Sequence, residues 1–236
     1  MTTVALRNST VVIYASRTNT VLTAPTGIQD GDLLLIFHII GAGSLPSVTP
    51  PSGFALVPGP TFPVIVTGDD GFSVGSRLYW KVASSESGDY TVTHAAATAQ
   101  GWIVAYSGAD IGTPFSPDAT SNNDTGTTST ATGLTTLRDG SMVVFLEHDW
   151  GVTQNDLAVP TGTTPIFTKE FGPSATFGII FVADGVLSTA GATGNKSITN
   201  NNTVSKPAVT YLVSIQPTTT VIPLGDLVIV AGSGPP

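Results

Sequence analysis

A chain of 236 residues with 41% apolar side chains is long enough to bury a sizeable core, and all-β sandwiches of this length commonly form one domain. Only 10% of residues are charged, the net charge is −8, and the eight basic residues are scattered, so the chain has no basic footprint for nucleic acid and little attraction to anionic membranes. The absence of cysteine excludes disulfides, thiolate metal sites and a cysteine nucleophile.

Abundant threonine, 26 glycines and 17 prolines predict many short strands punctuated by turns. The opening residues lack the basic and long apolar stretches of a secretory signal, which predicts a soluble protein made in a cytoplasm. Residues 1–22 read as an N-terminal arm holding one short strand, Val11, Val12, Ile13 and Tyr14, a candidate docking strand. Asp30-Gly31 sets a tight turn, and Leu33 to Ile40 is apolar on both alternating faces, as expected for a central strand covered on two sides. That run is too short to span a bilayer.

Residues 41–75 are rich in Gly, Pro and Ser and read as long turns around short strands. From Arg77 to Ala83 the residues alternate, with Leu78, Trp80 and Val82 sharing one face. Tyr90 to His94 and Trp102 to Tyr106 follow as two further strands joined by an Ala-rich connection, and short connections predict antiparallel pairing. Residues 107–133 carry almost no large apolar side chain after Phe115 and read as a surface loop.

The second half repeats the first. Asp30-Gly31 is echoed by Asp139-Gly140, a displacement of 139 − 30 = 109 positions, and Pro51 and Gly53 are echoed at the same displacement by Pro160 and Gly162. Strands are predicted at Met142 to Leu146, Phe177 to Ala183, Lys196 to Thr199 and Val209 to Ile215. The fold class expected is an all-β, jelly-roll-like antiparallel β-sandwich built from two similar halves, 23–110 and 130–216, closing one shared core. Two small β-domains in tandem are the alternative. Residues 217–236 form an uncharged C-terminal extension apart from Asp226, with an apolar strand at Leu227, Val228, Ile229 and Val230. Such a strand can add to a neighbour's sheet edge or dock on its own sandwich.

Candidate chemistry is sparse. Of three histidines, His38 lies inside the buried run and reads as a hydrogen-bonded core or interface histidine, and His94 closes a strand. The densest cluster is Glu147, His148, Asp149 and Trp150, at a strand end entering a loop, where a ligand could be met. On a strand, Glu147 and Asp149 share a face and His148 points away, so the three converge only at a bulge. Asp69-Asp70-Gly71 and Asn122-Asn123-Asp124 offer oxygen ligands for Ca²⁺ but lack the spacing of an EF-hand loop, and turn chemistry accounts for them. Asn201 has the glycosylation pattern, which without a secretory signal reads as plain loop. Tyr79, Trp102 and Trp150 are candidates for a sugar-stacking platform or for core. No nucleophile elbow, zinc-binding helix motif or phosphate-binding glycine loop is present, so no enzyme activity, cofactor or metal is expected.

The segments TAPTGIQDGDLLLIF, TPPSGFALV, SRLYWKVASSESGDYTVTH and GWIVAYSGAD, with weaker counterparts in the second half, resemble a β-sandwich family widespread among structural proteins of tailed bacteriophages. The resemblance covers roughly residues 20–216. It implies a virion component, an exterior capsid decoration or head-fibre subunit, or alternatively a tail-associated adhesin that binds host glycans. The partners implied are other virion proteins and further copies of the chain, a trimer among them. A mean hydropathy of +0.28 with so few charges agrees with apolar surface that meets another subunit.

Overall fold

A computed structural model describes residues 3–67, 73–124, 127–149, 158–170, 179–199 and 208–219. The described residues form strands and turns without a helix, and every strand pairing is antiparallel. The fold is an antiparallel β-sandwich of two similar halves.

The first sheet holds β1 (Ala5–Leu22), β2 (Leu33–Ala42), β3 (Val48–Thr49), β4 (Ala55–Leu56), β5 (Val64–Thr67), β6 (Ser73–Val82) and β7 (Tyr90–Ser107). Its order is β1-β7-β2-β6-β4, with β3 on β7 and β5 on β6. The second sheet runs β11-β12-β10-β14-β8, from β8 (Thr120–Asp124), β10 (Ser141–Asp149), β11 (Thr164–Glu170), β12 (Ile179–Leu187) and β14 (Ala208–Ile215). A separate ribbon pairs β9 (Thr128–Ala131) with β13 (Lys196–Thr199). Each half of the chain therefore supplies one sheet.

The register carries the repeat into three dimensions. Phe37 pairs with Leu78 and Trp102 in the first sheet, and Leu146 pairs with Val182 and Tyr211 in the second. The central and following strands keep the 109-residue displacement (146 − 37 and 211 − 102), while β6 to β12 is shorter by five (182 − 78 = 104). Gly31 and Gly140 adopt left-handed φ values of 88° and 78°, and their N–H groups donate to Ala83 O and Leu187 O. A side chain in that conformation is strained, so glycine is selected at both turns.

Packing follows from strand parity. Leu33, Leu35, Phe37, Trp102, Val104 and Tyr106 point inward and meet Met142, Val144, Leu146, Tyr211, Val213 and Ile215 in one shared cluster. The two halves thus pack through equivalent faces. Two hydroxyl contacts cross the interior, Ser76 Oγ with Tyr211 Oη at 2.5 Å and Tyr106 Oη donating to Asp184 Oδ2 at 3.2 Å.

The outer faces are covered as well. Leu34, Ile36 and Ile103 pack with Leu22, Phe54 and Tyr90, while Val143, Phe145 and Leu212 pack under Ala131 and Ile198 of the separate ribbon. In the first half the cover is the far end of the β1–β7 pair itself. A β-carbon placed at Gly101 would lie 2.7 Å from Leu22 Cδ2, although Leu22 pairs with Tyr90, eleven residues along β7. In a straight strand those positions stand about 36 Å apart. The pair therefore folds back over its own sheet, at register shifts between Tyr14, Arg17 and Asn19.

Three sequence expectations change. The arm with a short strand is one 18-residue strand, β1, paired with β7 along its length. The strands expected at Tyr90 to His94 and Trp102 to Tyr106 are one strand, β7. The loop expected at 107–133 contains β8 and β9, the second-half counterparts of β1. Their polar residues pair through the backbone, which needs no apolar side chain.

Candidate functional site

Beneath the fold-back of the first half lies a polar cluster drawn from four strands. His38 sits on the outward face of β2, opposite Arg77 on β6 and Gly101 on β7. Because Gly101 has no side chain, Thr20 and Leu22 can descend onto that face. Thr20 Oγ1 lies 3.1 Å from His38 Nε2 and 3.0 Å from His94 Nε2, and the two imidazoles are 5.7 Å apart.

The proton inventory follows from the last member. His94 Nδ1 lies 2.8 Å from Ala95 O, a carbonyl that can only accept, so Nδ1 carries a hydrogen. In neutral His94, Nε2 then accepts from the Thr20 hydroxyl, whose oxygen accepts from His38 Nε2–H. His38 Nδ1 is left as a bare, sealed nitrogen with no partner. Burial, reinforced by His94 and then Arg77, lowers the His38 pKa to about 3, so the ring is neutral near pH 7.

This chain of groups resembles a relay, but its chemistry is confined. Thr20 and His38 are fully buried and His94 nearly so. In this arrangement the cluster fastens the fold-back to the sheet, each hydrogen bond satisfying a group that would otherwise be costly to bury.

The other sequence candidates fall as follows. Val11, Val12, Ile13 and Tyr14 pair with Trp102, Gly101, Gln100 and Ala99 of β7. β1 ends the sheet order, so its opposite edge faces no strand among the described residues. Leu227, Val228, Ile229 and Val230 lie outside the described residues, as do Trp150, Asp69 to Gly71 and Asn201. Glu147 and His148 do not stand on a loop: both are buried inside β10, on opposite faces, and the backbone of Asp149 continues the same ladder. Tyr79 and Trp102 are core residues rather than a stacking platform. Asn122 donates to Asp124 and to Thr130 O, Asn123 donates to Ile65 O, and Asp124 accepts from Thr130 N, so these side chains serve strand contacts.

Sequence reasoning missed the convergence of Thr20, His38 and His94. The one available signal was a histidine interrupting the otherwise apolar run of β2. No protein-family model, curated protein or solved structure matches the chain.

Proposed function

We propose that the chain is a virion structural protein of a tailed bacteriophage, an exterior decoration or head-fibre subunit that binds the assembled particle without catalysis. The observation that carries this reading is the open edge of β1. β1 is an 18-residue strand at the end of the sheet order, and an edge strand of that length can take a further strand from a neighbour. The low charge supports it, and the reading rests further on the resemblance drawn from the sequence of residues 20–216. Copies joined along this edge give a homo-oligomer, with a trimer as the specific expectation. Nothing among the described residues favours the glycan-binding adhesin, since the aromatics offered for it are buried or lie outside them.

An antibody raised against the purified chain, applied to particles from the source culture, tests the reading. Gold on capsid heads is expected. Gold confined to tails, or absent from particles, overturns it.

A further inference from the structure

The outer face of the first sheet seals one guanidinium nitrogen, Nη1 of Arg77, away from any acceptor. Arg77 is only 9% exposed, its Nη1 is shut off from solvent, and no hydrogen-bond partner meets that nitrogen. Directly opposite it on β2, His38 Nδ1 is also sealed and also without a partner. The ion-paired carboxylates among the described residues are engaged elsewhere: Asp32 with Arg7, Glu86 with Lys81 and Asp110 with Arg138. A buried guanidinium nitrogen left without an acceptor is costly.

We propose that Arg77 Nη1 and His38 Nδ1 together hold a compact anion, either a free halide or a carboxylate brought by another chain. The guanidinium donates from Nη1. His38 donates from Nδ1 once the relay behind it carries one more proton: His38 Nε2 then accepts from Thr20 O–H, Thr20 oxygen accepts from His94 Nε2–H, and His94 Nδ1–H keeps its bond to Ala95 O. The anion lies against the guanidinium and the added proton rests on His94 at the far end of the relay, so the site as a whole keeps the single positive charge it had. Among the described residues, the groups facing His38 are Arg77, with Tyr79 two positions on, from β6, His94 from β7 and Thr20 from β1; none of these is a carboxylate. The site belongs to the first half alone, because the positions equivalent to His38 and Arg77 in the second sheet are Glu147 and Phe181.

Bromide is the direct probe. Crystals of the full chain soaked in bromide at about pH 5.5, where protons are more plentiful than at neutral pH, should show an anomalous peak in contact with both nitrogens. In solution, chloride should raise the melting temperature above that in gluconate, a bulkier anion, at equal ionic strength. A shift on the order of 2–4 °C is expected, larger at the acid pH than at about pH 8. Arg77→Met should abolish the chloride dependence, and Asp69→Asn with Asp70→Asn should leave it intact. A neighbouring chain's carboxylate in place of bromide supports the site and names its second source. A site without bromide or carboxylate, equal melting in chloride and gluconate, or loss of the shift in the double aspartate variant overturns the proposal. The bromide soak uses the unaltered chain, so it decides the matter even where Arg77→Met does not fold.

Discussion

Gly101→Ala tests whether the β1–β7 pair owes its fold-back to an empty position on β7. The new β-carbon would stand 2.7 Å from Leu22 Cδ2 and 3.2 Å from Thr20 Cγ2, and Leu22 is fully buried with little room to retreat. Overpacking of this kind costs about 1–3 kcal/mol, offset by about 0.4–1 kcal/mol from stiffening the unfolded chain. The net destabilisation is about 1–2 kcal/mol, equivalent to roughly 2–8 °C in Tm for a chain of this size. Leu22→Ala alone should cost about 2–5 kcal/mol through the cavity it leaves. In that background the alanine at position 101 has space, and its cost should fall to near zero. Urea denaturation of the four proteins closes the cycle, with a coupling of about 1–2 kcal/mol between the two sites. Equal cost of Gly101→Ala in both backgrounds would refute the contact as the cause.

Thr20→Val should destabilise by about 1–3 kcal/mol by stranding two imidazole nitrogens, while Thr20→Ser should retain most of the stability; chemical denaturation distinguishes them. Gly185→Ala should cost more than Gly101→Ala, because its β-carbon would lie 2.1 Å from the backbone oxygen of Gly162, which cannot rotate aside; the same melts decide the ranking. The His38 pKa is lowered from 6.5 to about 3, so between those values the unfolded state binds more protons and stability falls as pH falls. In chloride-free buffer this contributes a slope of up to about 1.4 kcal/mol per pH unit, and His38→Gln should remove it. An unchanged slope in that variant would show that other groups carry the acid sensitivity.

The parts of the fold legible in the sequence were those where parity and burial agree. Leu33 to Ile40 is apolar on both faces because the partner sheet lies on one side and the fold-back on the other. Glycine turns at positions 31 and 140 were legible because left-handed backbone restricts residue choice. β7 was not legible as one strand: the small side chains of Ala95 to Ala99 read as a connection, yet small side chains allow the ribbon to bend there without clashing with what it covers. β8 and β9 were hidden because a ladder is a backbone property, and Thr, Ser and Asn can occupy it without an apolar pattern. The polar cluster was hidden for a geometric reason. Thr20, His38 and His94 converge only when β1 and β7 double back, and no local period encodes that.

The repeat also separates scaffold from chemistry. At equivalent places the first sheet carries His38, Arg77 and Gly101, and the second carries Glu147, Phe181 and Thr210. Backbone pairing is the same in both, so the fold does not require the charged residues of either. The covers differ as well: the first half uses a continuous doubled-back ribbon fastened by Thr20 and His94, whereas the second uses the separate β9–β13 pair above Phe145 and Leu212. A glycine at position 101 is what admits Thr20 to His38, and Thr210 fills the corresponding place in the second sheet. Two copies of one architecture were therefore free to diverge on their outer faces while the shared inner face held them together. The first half gathers both asymmetric features, the open edge of β1 and the sealed guanidinium, on strands that touch: Val12 pairs with Gly101, and Gly101 pairs with His38. A strand docking on β1 would pull on the same ribbon that Thr20 fastens to His38, so edge binding and anion binding are expected to act on one mechanical element.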